Sequence, residues 1–406
     1  MMWRSTTLGE ICAEGGGGIQ TGPFGSQLHA ADYVVHGIPS VMPQNIGDNV
    51  IDPTGIARIT DEDATRLSKY LLREGDIVYS RRGDVEKRAL VRAEHEGWLC
   101  GTGCLRVRLG GKGGNDPRFL SYLLGTEEVR GWIVRHAVGA TMPNLNTSIM
   151  AAIPIWLPPT GSQLEIAEVL GALDDKIAAN TMLSNSAVKL VDTQFAARAN
   201  GGISDGKTFA DVAEVGGGGT PSTADLTLWG GTIAWATPTD ITALRGPYLS
   251  VTSRTITDDG LAACSSPLYP VKSILMTSRA TIGAFAIAEC PTAVNQGFIV
   301  VNARHPGLQW WLFHQMRARV PEFLSYANGA TFLELSRGRF KQLQVWTAED
   351  SVIAEFDALA DSLHRRASAA IRENSQLASL RDTLLPELMS GRLQVKDAER
   401  VVEGVV

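Results

Sequence analysis

The 406-residue sequence contains no run of about 18 or more apolar residues, which excludes a membrane-spanning helix of ordinary length. Residues 1–10 lack a basic stretch followed by an apolar one. No secretory leader is read there, and a cytoplasmic location is expected. Cysteine is scarce: Cys12, Cys100, Cys104, Cys264 and Cys290, an odd and scattered set that gives no disulfide framework. Cys100 and Cys104 have no second pair to complete a zinc site, so both are read as small buried apolar residues and no metal is expected. An excess of positive charge is also missing. With 37 basic and 43 acidic residues the net charge is −6, which argues against a uniformly basic nucleic-acid binder. Four catalytic patterns are absent: G-x-x-x-x-G-K-S/T, D/N-P-P-Y/F/W, H-E-x-x-H and G-x-S-x-G. The histidines are dispersed; His136 reads as a surface residue and His364 as a helix-face residue. No catalytic residue and no cofactor is assigned to the chain itself.

What is present is a long internal repeat. TLGEICAEGGGG from Thr7 and TFADVAEVGGGG from Thr208 share a Thr and four glycines at an offset of 201. IPSVMPQNI from Ile38 matches IAWATPTDI from Ile233, and Ser80-Arg81 matches Ser278-Arg279. AVGAT from Ala137 matches ANGAT from Ala327 at an offset of 190, which also aligns Leu173 with Leu363 and Asp192 with Asp382. Charge follows the repeat. Residues 1–160 and 204–349 are nearly neutral, at −1 and 0, while 161–203 and 350–406 carry −2 and −3. Two near-neutral domains could each present a basic face.

Each unit opens on a glycine run, which marks a sharp bend or a close backbone approach. Short β-branched runs bounded by turn residues follow: 38–42, 76–79 and 105–109, then 232–236, 273–277 and 297–301. Helices are expected at 117–134 and 305–325. Each domain should be α+β with a mixed sheet.

A long helix closes each unit. Apolar residues at Ile166, Val169, Leu170, Leu173, Ile177, Leu183, Val188, Val191 and Phe195, and at Ile353, Phe356, Leu359, Leu363, Ala367, Ile371, Leu377, Leu380 and Leu384, fall mostly at the helical spacing of three and four. The stripe suits a coiled-coil seam, with polar Asn180, Ser184 and Asn374 in its middle, and Pro386 is read as the end of the second helix. The two helices are each other's obvious partners. Antiparallel pairing would give a pseudo-twofold molecule. A helix of about 35 residues spans about 50 Å, more than one turn of DNA.

Several stretches carry a family resemblance. They are TGPFGSQLHAADY from Thr21, GIPSVMPQNI from Gly37, EGDIVYSRRGDVEKRALV from Glu74, GATMPNLNTSIMAAIPIWLPP from Gly139 and SQLEIAEVLGALDDKIAAN from Ser162. The second half has GGGGTPST from Gly216, SRATIGAFAIA from Ser278, AVNQGFIVV from Ala293, GATFLELSRGRFKQLQV from Gly329 and LRDTLLPELMSGRL from Leu380. Over nearly its whole length the chain resembles the specificity subunit of type I restriction–modification systems. The resemblance implies target-recognition domains at 1–160 and 204–349, a spacer helix at 161–203, and a second spacer helix with a tail at 350–406. Each domain would read half of a split double-stranded DNA target. The helices would dock two methyltransferase subunits, and a restriction and translocation subunit would join them. S-adenosylmethionine is expected on the methyltransferase, ATP and magnesium on the restriction partner. The subunit of a related two-subunit enzyme has the same plan, and a coiled-coil scaffold that binds only proteins is the rival reading.

Bases and phosphates are met by Arg, Lys, Asn, Gln, Ser and Thr. Polar loops between strands therefore nominate Gln20, Thr21, Ser26, Gln27, Gln44, Asn45, Ser80, Arg81, Arg82, Lys87 and Arg88 in the first unit. Thr141, Asn144 and Asn146 join them. In the second unit the candidates are Thr220, Ser222, Thr237, Thr239, Asp240, Ser278, Arg279, Thr281, Asn295, Gln296, Thr331, Arg337 and Arg339.

Overall fold

The structure, a computed structural model, describes residues 3–139, 142–199, 203–329 and 333–405. Thr141 and Thr331 lie outside the described residues. The chain divides into two compact units. Unit 1 is Met1–Asp175 with Leu377–Val406, and unit 2 is Lys176–Gln376. Among the described residues no helix is long and apolar enough to cross a membrane.

Unit 1 contains β1 (Arg4–Thr7), β2 (Gly18–Thr21), β3 (Ile38–Val41), β4 (Asp48–Asn49), β5 (Ala57–Ile59), β6 (Ile77–Ser80), β7 (Arg88–Leu90), β8 (Leu99–Cys100), β9 (Cys104–Arg108) and β10 (Pro154–Leu157). Its helices are α1 (Leu8–Gly15), α2 (Asp61–Arg66), α3 (Pro117–Leu123), α4 (Glu127–His136) and α5 (Thr147–Ala151). One sheet has the order β2-β9-β6-β7-β4, a second has β5-β3-β8, and β1 pairs with β10. The long helix α6 (Thr160–Arg198) follows.

Unit 2 contains β11 (Ala213–Gly216), β12 (Trp229–Ala236), β13 (Tyr248–Leu249), β14 (Arg254–Ile256), β15 (Ile274–Thr277), β16 (Phe285–Ala288), β17 (Thr292–Val294) and β18 (Phe298–Ala303). Helices α7 (Phe209–Val212), α8 (Pro238–Thr242), α9 (Asp258–Ala263), α10 (Gln309–Ala318), α11 (Val320–Ser325) and α12 (Arg337–Lys341) surround them. Its sheets are β11-β18-β15-β16-β13 and β14-β12-β17, the same order strand for strand. In both units two equivalent pairs are parallel and the rest antiparallel, which makes the sheets mixed, as expected. The second long helix, α13 (Asp350–Met389), and α14 (Val395–Glu403) complete the chain.

The central strands explain the apolar runs. In β6 and β15 all four residues are buried, so the sequence reads as continuous hydrophobicity rather than alternation. Successive side chains still point to opposite faces. Ile274 and Met276 join a core with Trp311, Phe313 and Phe356, while Leu275 joins another with Leu249 and Val300. The six strand runs read from sequence fall on β3, β6, β9, β12, β15 and β18. Burial makes Cys100 and Cys104 apolar residues, as read, and pushes the Cys100 thiol up to about 12.

Four local expectations need correction. The helix expected at 305–325 starts at Gln309 and is split at Arg319, where Pro321 has no N–H to continue the ladder. The helix expected at 117–134 is broken between Leu123 and Glu127, where Gly125 lies against the buried Arg88 guanidinium with no room for a side chain. Pro386 does not end its helix, which continues to Met389. In the last turn the missing proline N–H leaves only one carbonyl unserved. The glycine runs are not equivalent either. Gly18 starts β2, whereas Gly216 ends the equivalent β11, because α7 is a turn shorter than α1. Both runs do make close approaches: a Cβ on Gly15 would overlap the Leu109 carbonyl, and one on Gly218 the Val294 carbonyl.

Within each unit the two long helices pair antiparallel. In unit 1 Asp174 meets Arg381 at 2.8 Å; in unit 2 Asn180 meets Glu373 at 2.9 Å and the Phe195 ring meets Phe356. Ile166, Leu170, Leu173 and Phe356 are buried, while Ile177, Leu363, Ile371 and Leu380 are half-buried. Leu183, expected in the stripe, is 43% exposed. The buried face is shared with the globular core, since Val191 and Phe195 pack with Trp311 of α10. Asn374 donates to Thr181 Oγ1 at 3.0 Å and to the Ile177 carbonyl at 3.2 Å.

Buried polar networks fix these helices to each domain. In unit 1 Tyr122 donates to Asp174 at 2.6 Å, and Arg381 pairs with Asp174, Asp382 and Asp48. Burial opposes the Arg381 charge, but Asp174 overrides it and raises the guanidinium pKa. In unit 2 His364, at the position equivalent to Asp174, does lie on a helix face, the buried one, at 2% exposure. His314 Nδ1 lies 2.6 Å from Asp192, the two histidine Nε2 atoms are 2.8 Å apart, and His364 Nδ1 is 2.7 Å from Tyr248 OH. With both rings neutral, a single run of protons serves every atom: Tyr248 donates to His364, His364 to His314, and His314 to Asp192. Burial pushes His364 down to about 2 and lowers His314. Burial alone would raise Asp192, but donors on His314 and Arg317 hold it down to about 2.

Candidate nucleic-acid interface

Loops converge at one end of the sheets in each unit, tied by backbone hydrogen bonds. In unit 1 Gly22 N donates to Cys104 O (3.0 Å), Gly101 N to Val41 O (2.9 Å), Arg81 N to Gly103 O (2.8 Å) and Leu145 N to Arg81 O (2.9 Å). These join the loops after β2, β3 and β6 to the segment that precedes α5. In unit 2 Gly219 N donates to Val294 O (3.1 Å), Asn295 N to Ala236 O (3.0 Å), Ser278 N to Gly297 O (2.8 Å) and Leu335 N to Ser278 O (3.0 Å). Three of the four bonds recur at equivalent positions and fix the equivalence, whereas Gly22 reaches the start of β9 and Gly219 the end of β17. Arg81 corresponds to Ser278 and Arg82 to Arg279, so the sequence match of Ser80-Arg81 with Ser278-Arg279 is one residue out of register.

The candidates separate by burial. Asn45, Ser80, Arg88 and Ser278 are at most 4% exposed, and no edge is left for DNA. Arg88 spends its guanidinium on the Ser121 carbonyl and Asp48. Asn45 bonds Met42 N and the Asp52 carbonyl, and Ser80 Oγ donates to Arg82 O. Others brace the loops. Gln20 accepts from Arg106, Gln27 from Tyr70, Asn146 from Ile149 N and Asn295 from Gly297 N. Thr237 and Asp240 cap α8 together, and Asp240 also accepts from Ser253 N. Burial would raise Asp240, but these donors lower its pKa. Thr21 and Asn144 are half-buried. Exposed candidates, besides Asn146, are Ser26, Gln44, Arg82 and Lys87 in unit 1, and Thr220, Ser222, Thr239, Arg279, Thr281, Gln296, Arg337 and Arg339 in unit 2.

Cations are distributed differently in the two units. Arg82 faces Asn144 across a β-bridge, and the Asn144 Oδ1 is buried without a partner. Arg279, its equivalent, faces Glu334 and pairs with it at 2.9 Å. Arg81 donates to the Leu145 carbonyl at 3.2 Å and lies over the exposed Phe24 ring; burial lowers its pKa. Unit 2 instead gathers exposed Arg337, Arg339 and Lys341 on α12, where the equivalent α5 has no charged residue. Arg339 stacks on Tyr326 at 4.4 Å. Residue-type reading missed one further cation: Arg254, stacked on Trp229 at 3.4 Å. Both lie in strands rather than in polar loops, and only the strand register brings them together.

A family model described as type I restriction modification DNA specificity domain matches the chain twice, over residues 3–188 and 205–356. The chain is 36% identical over 143 residues to the type I restriction enzyme MjaIX specificity subunit of Methanocaldococcus jannaschii, spanning 35% of this chain and 33% of that protein. It is 20% identical to the type I restriction enzyme HindI specificity subunit of Haemophilus influenzae, over 96% of this chain and 99% of that one. The crystal structure of a type I restriction–modification S subunit from M. genitalium shares the fold, with a TM-score of 0.55 at 15% identity and 96% coverage of both chains.

Proposed function

Because the chain belongs to the type I restriction modification DNA specificity domain family, and carries that domain twice, we propose that it reads a two-part DNA target, one part with each unit. The chain is a specificity subunit, a recognition component rather than the catalyst. The observation that carries the two-part reading is the repeated loop end. Three equivalent backbone bonds hold the loops in both units, while the exposed side chains differ. Two copies of one frame with different surfaces suit two different half-sites. The long helices α6 and α13 are the proposed docking frame for two methyltransferase subunits, which would bring S-adenosylmethionine. A restriction and translocation subunit would bring ATP and magnesium.

Co-expression with a methyltransferase partner, followed by mapping of modified bases, tests this directly. The expected result is one split motif. Exchanging residues 1–160 for those of another family member should change one half of it. A complex without sequence preference, or an exchange that altered both halves, would overturn the reading.

A further inference from the structure

We propose that Arg254 reads a guanine in the half-site served by unit 2, an inference that rests on the DNA-reading function above. Arg254 lies opposite Trp235 in the β14–β12 register. Its guanidinium sits 3.4 Å above the Trp229 ring and 5.7 Å from Trp235, and the two indoles meet edge to face at 4.9 Å. Neither ring is free to turn. Trp229 Nε1 donates to the Ser222 carbonyl at 3.0 Å, and Trp235 Nε1 to the Gly219 carbonyl at 3.1 Å. Arg254 is nevertheless exposed, and among the described residues no hydrogen bond or ion pair ends on its guanidinium.

Stacking therefore fixes the plane of the fork while its N–H groups stay unspent. A planar, pre-oriented fork matches the O6 and N7 acceptors of guanine. Its neighbours place it at the reading end. The indoles hold the 219–222 loop, and Ser253 N donates to Asp240 Oδ1 at 2.8 Å, which ties the start of β14 to the cap of α8. Phosphate contacts have another source in this unit, the three exposed cations of α12. Unit 1 has no counterpart. Its register sets Ser40 opposite Ala57, two residues on from the Ile38–Ile59 pair, as Trp235 and Arg254 stand two on from Ile233–Ile256.

The test uses the full chain reconstituted with a methyltransferase subunit, comparing wild type with Arg254→Ala and Arg254→Lys. Modified-base mapping is combined with binding to duplexes altered one base pair at a time. Arg254→Ala should lose about ten- to hundredfold discrimination at one G·C pair of one half-site and leave the other half intact. Lysine should not restore it, because an ammonium lacks the planar fork. An unchanged motif would overturn the assignment. So would a uniform loss across all sequences with a shallower salt dependence, the mark of a phosphate clamp. A wild-type complex that modified no split sequence would sink the DNA-reading function itself, a failure distinct from that of Arg254.

Discussion

Units 1 and 2 have the same sheets in the same order, yet equivalent positions carry different chemistry in three places. At the loop tip Arg82 faces an amide where Arg279 faces the Glu334 carboxylate. In the three-stranded sheet, Ser40 and Ala57 stand where unit 2 has Trp235 and Arg254. At the helix junction, an Asp174–Arg381 pair in unit 1 is replaced by the His364–His314–Asp192 relay in unit 2. Backbone hydrogen bonds depend little on side-chain identity, so topology survived this divergence. Side chains at loop tips and junctions were free to specialise.

The junctions give the largest expected difference. Arg381→Ala leaves Asp174, whose side chain is 5% exposed, buried without its counter-ion. Unit 1 should lose about 3–5 kcal/mol in denaturant unfolding, and the double variant Asp174→Leu/Arg381→Met should recover most of it. A loss below about 1 kcal/mol would mean that water already screens the pair.

A smaller effect separates the junctions by pH. The folded protein holds His364 near 2, while the unfolded chain takes up its proton below about 6.5. Between those values the unfolded state binds more protons, so stability rises with pH there. Acidification from pH 7 to 5 should cost unit 2 about 2 kcal/mol from this histidine alone, and the histidine-free unit 1 junction should not share that loss. Hydrogen exchange followed unit by unit reads the difference. His364→Gln should flatten the profile; a variant with the wild-type slope would show that the relay is not its source.

The loop tips should differ in salt dependence. Arg82→Ala should lower the slope of log affinity against log salt by about one, whereas Arg279→Ala, already neutralised by Glu334, should change it by less. Equal changes would erase the contrast between the units. The smallest effect is conformational. Gly83 and Ala280 are equivalent and both left-handed, at φ 78° and 58°. Gly83→Ala should cost about 1 kcal/mol, while Ala280→Gly should be neutral or mildly stabilising. Thermal melts that ranked them the other way would refute the shared geometry.

Much of the fold was legible because central strands and helix stripes are written in local patterns. The six apolar runs became strands, and Ile166, Leu170, Leu173 and Phe356 became buried helix positions. The interface was less legible. Arg88 and Arg82 are six residues apart and look alike in sequence, yet one braces Ser121 and Asp48 while the other is exposed. That difference depends on β7 being an internal strand, which no local pattern states. The one-residue slip between Ser80-Arg81 and Ser278-Arg279 has the same origin, since register is set by partners far along the chain.

The sequence by itself determined that this chain is one unit used twice, with mixed sheets, two long helices and no catalytic motif. Periodicity and repetition are properties of the chain alone. Only the tertiary structure decided which polar residues are spent inside and which remain available. His364 reads as a helix-face residue until Tyr248 and His314 close around it, and Arg254 reads as an ordinary strand residue until Trp229 stacks beneath it. Charge and hydrogen-bonding capacity become functional only when nothing nearby consumes them, and what lies nearby is decided by folding.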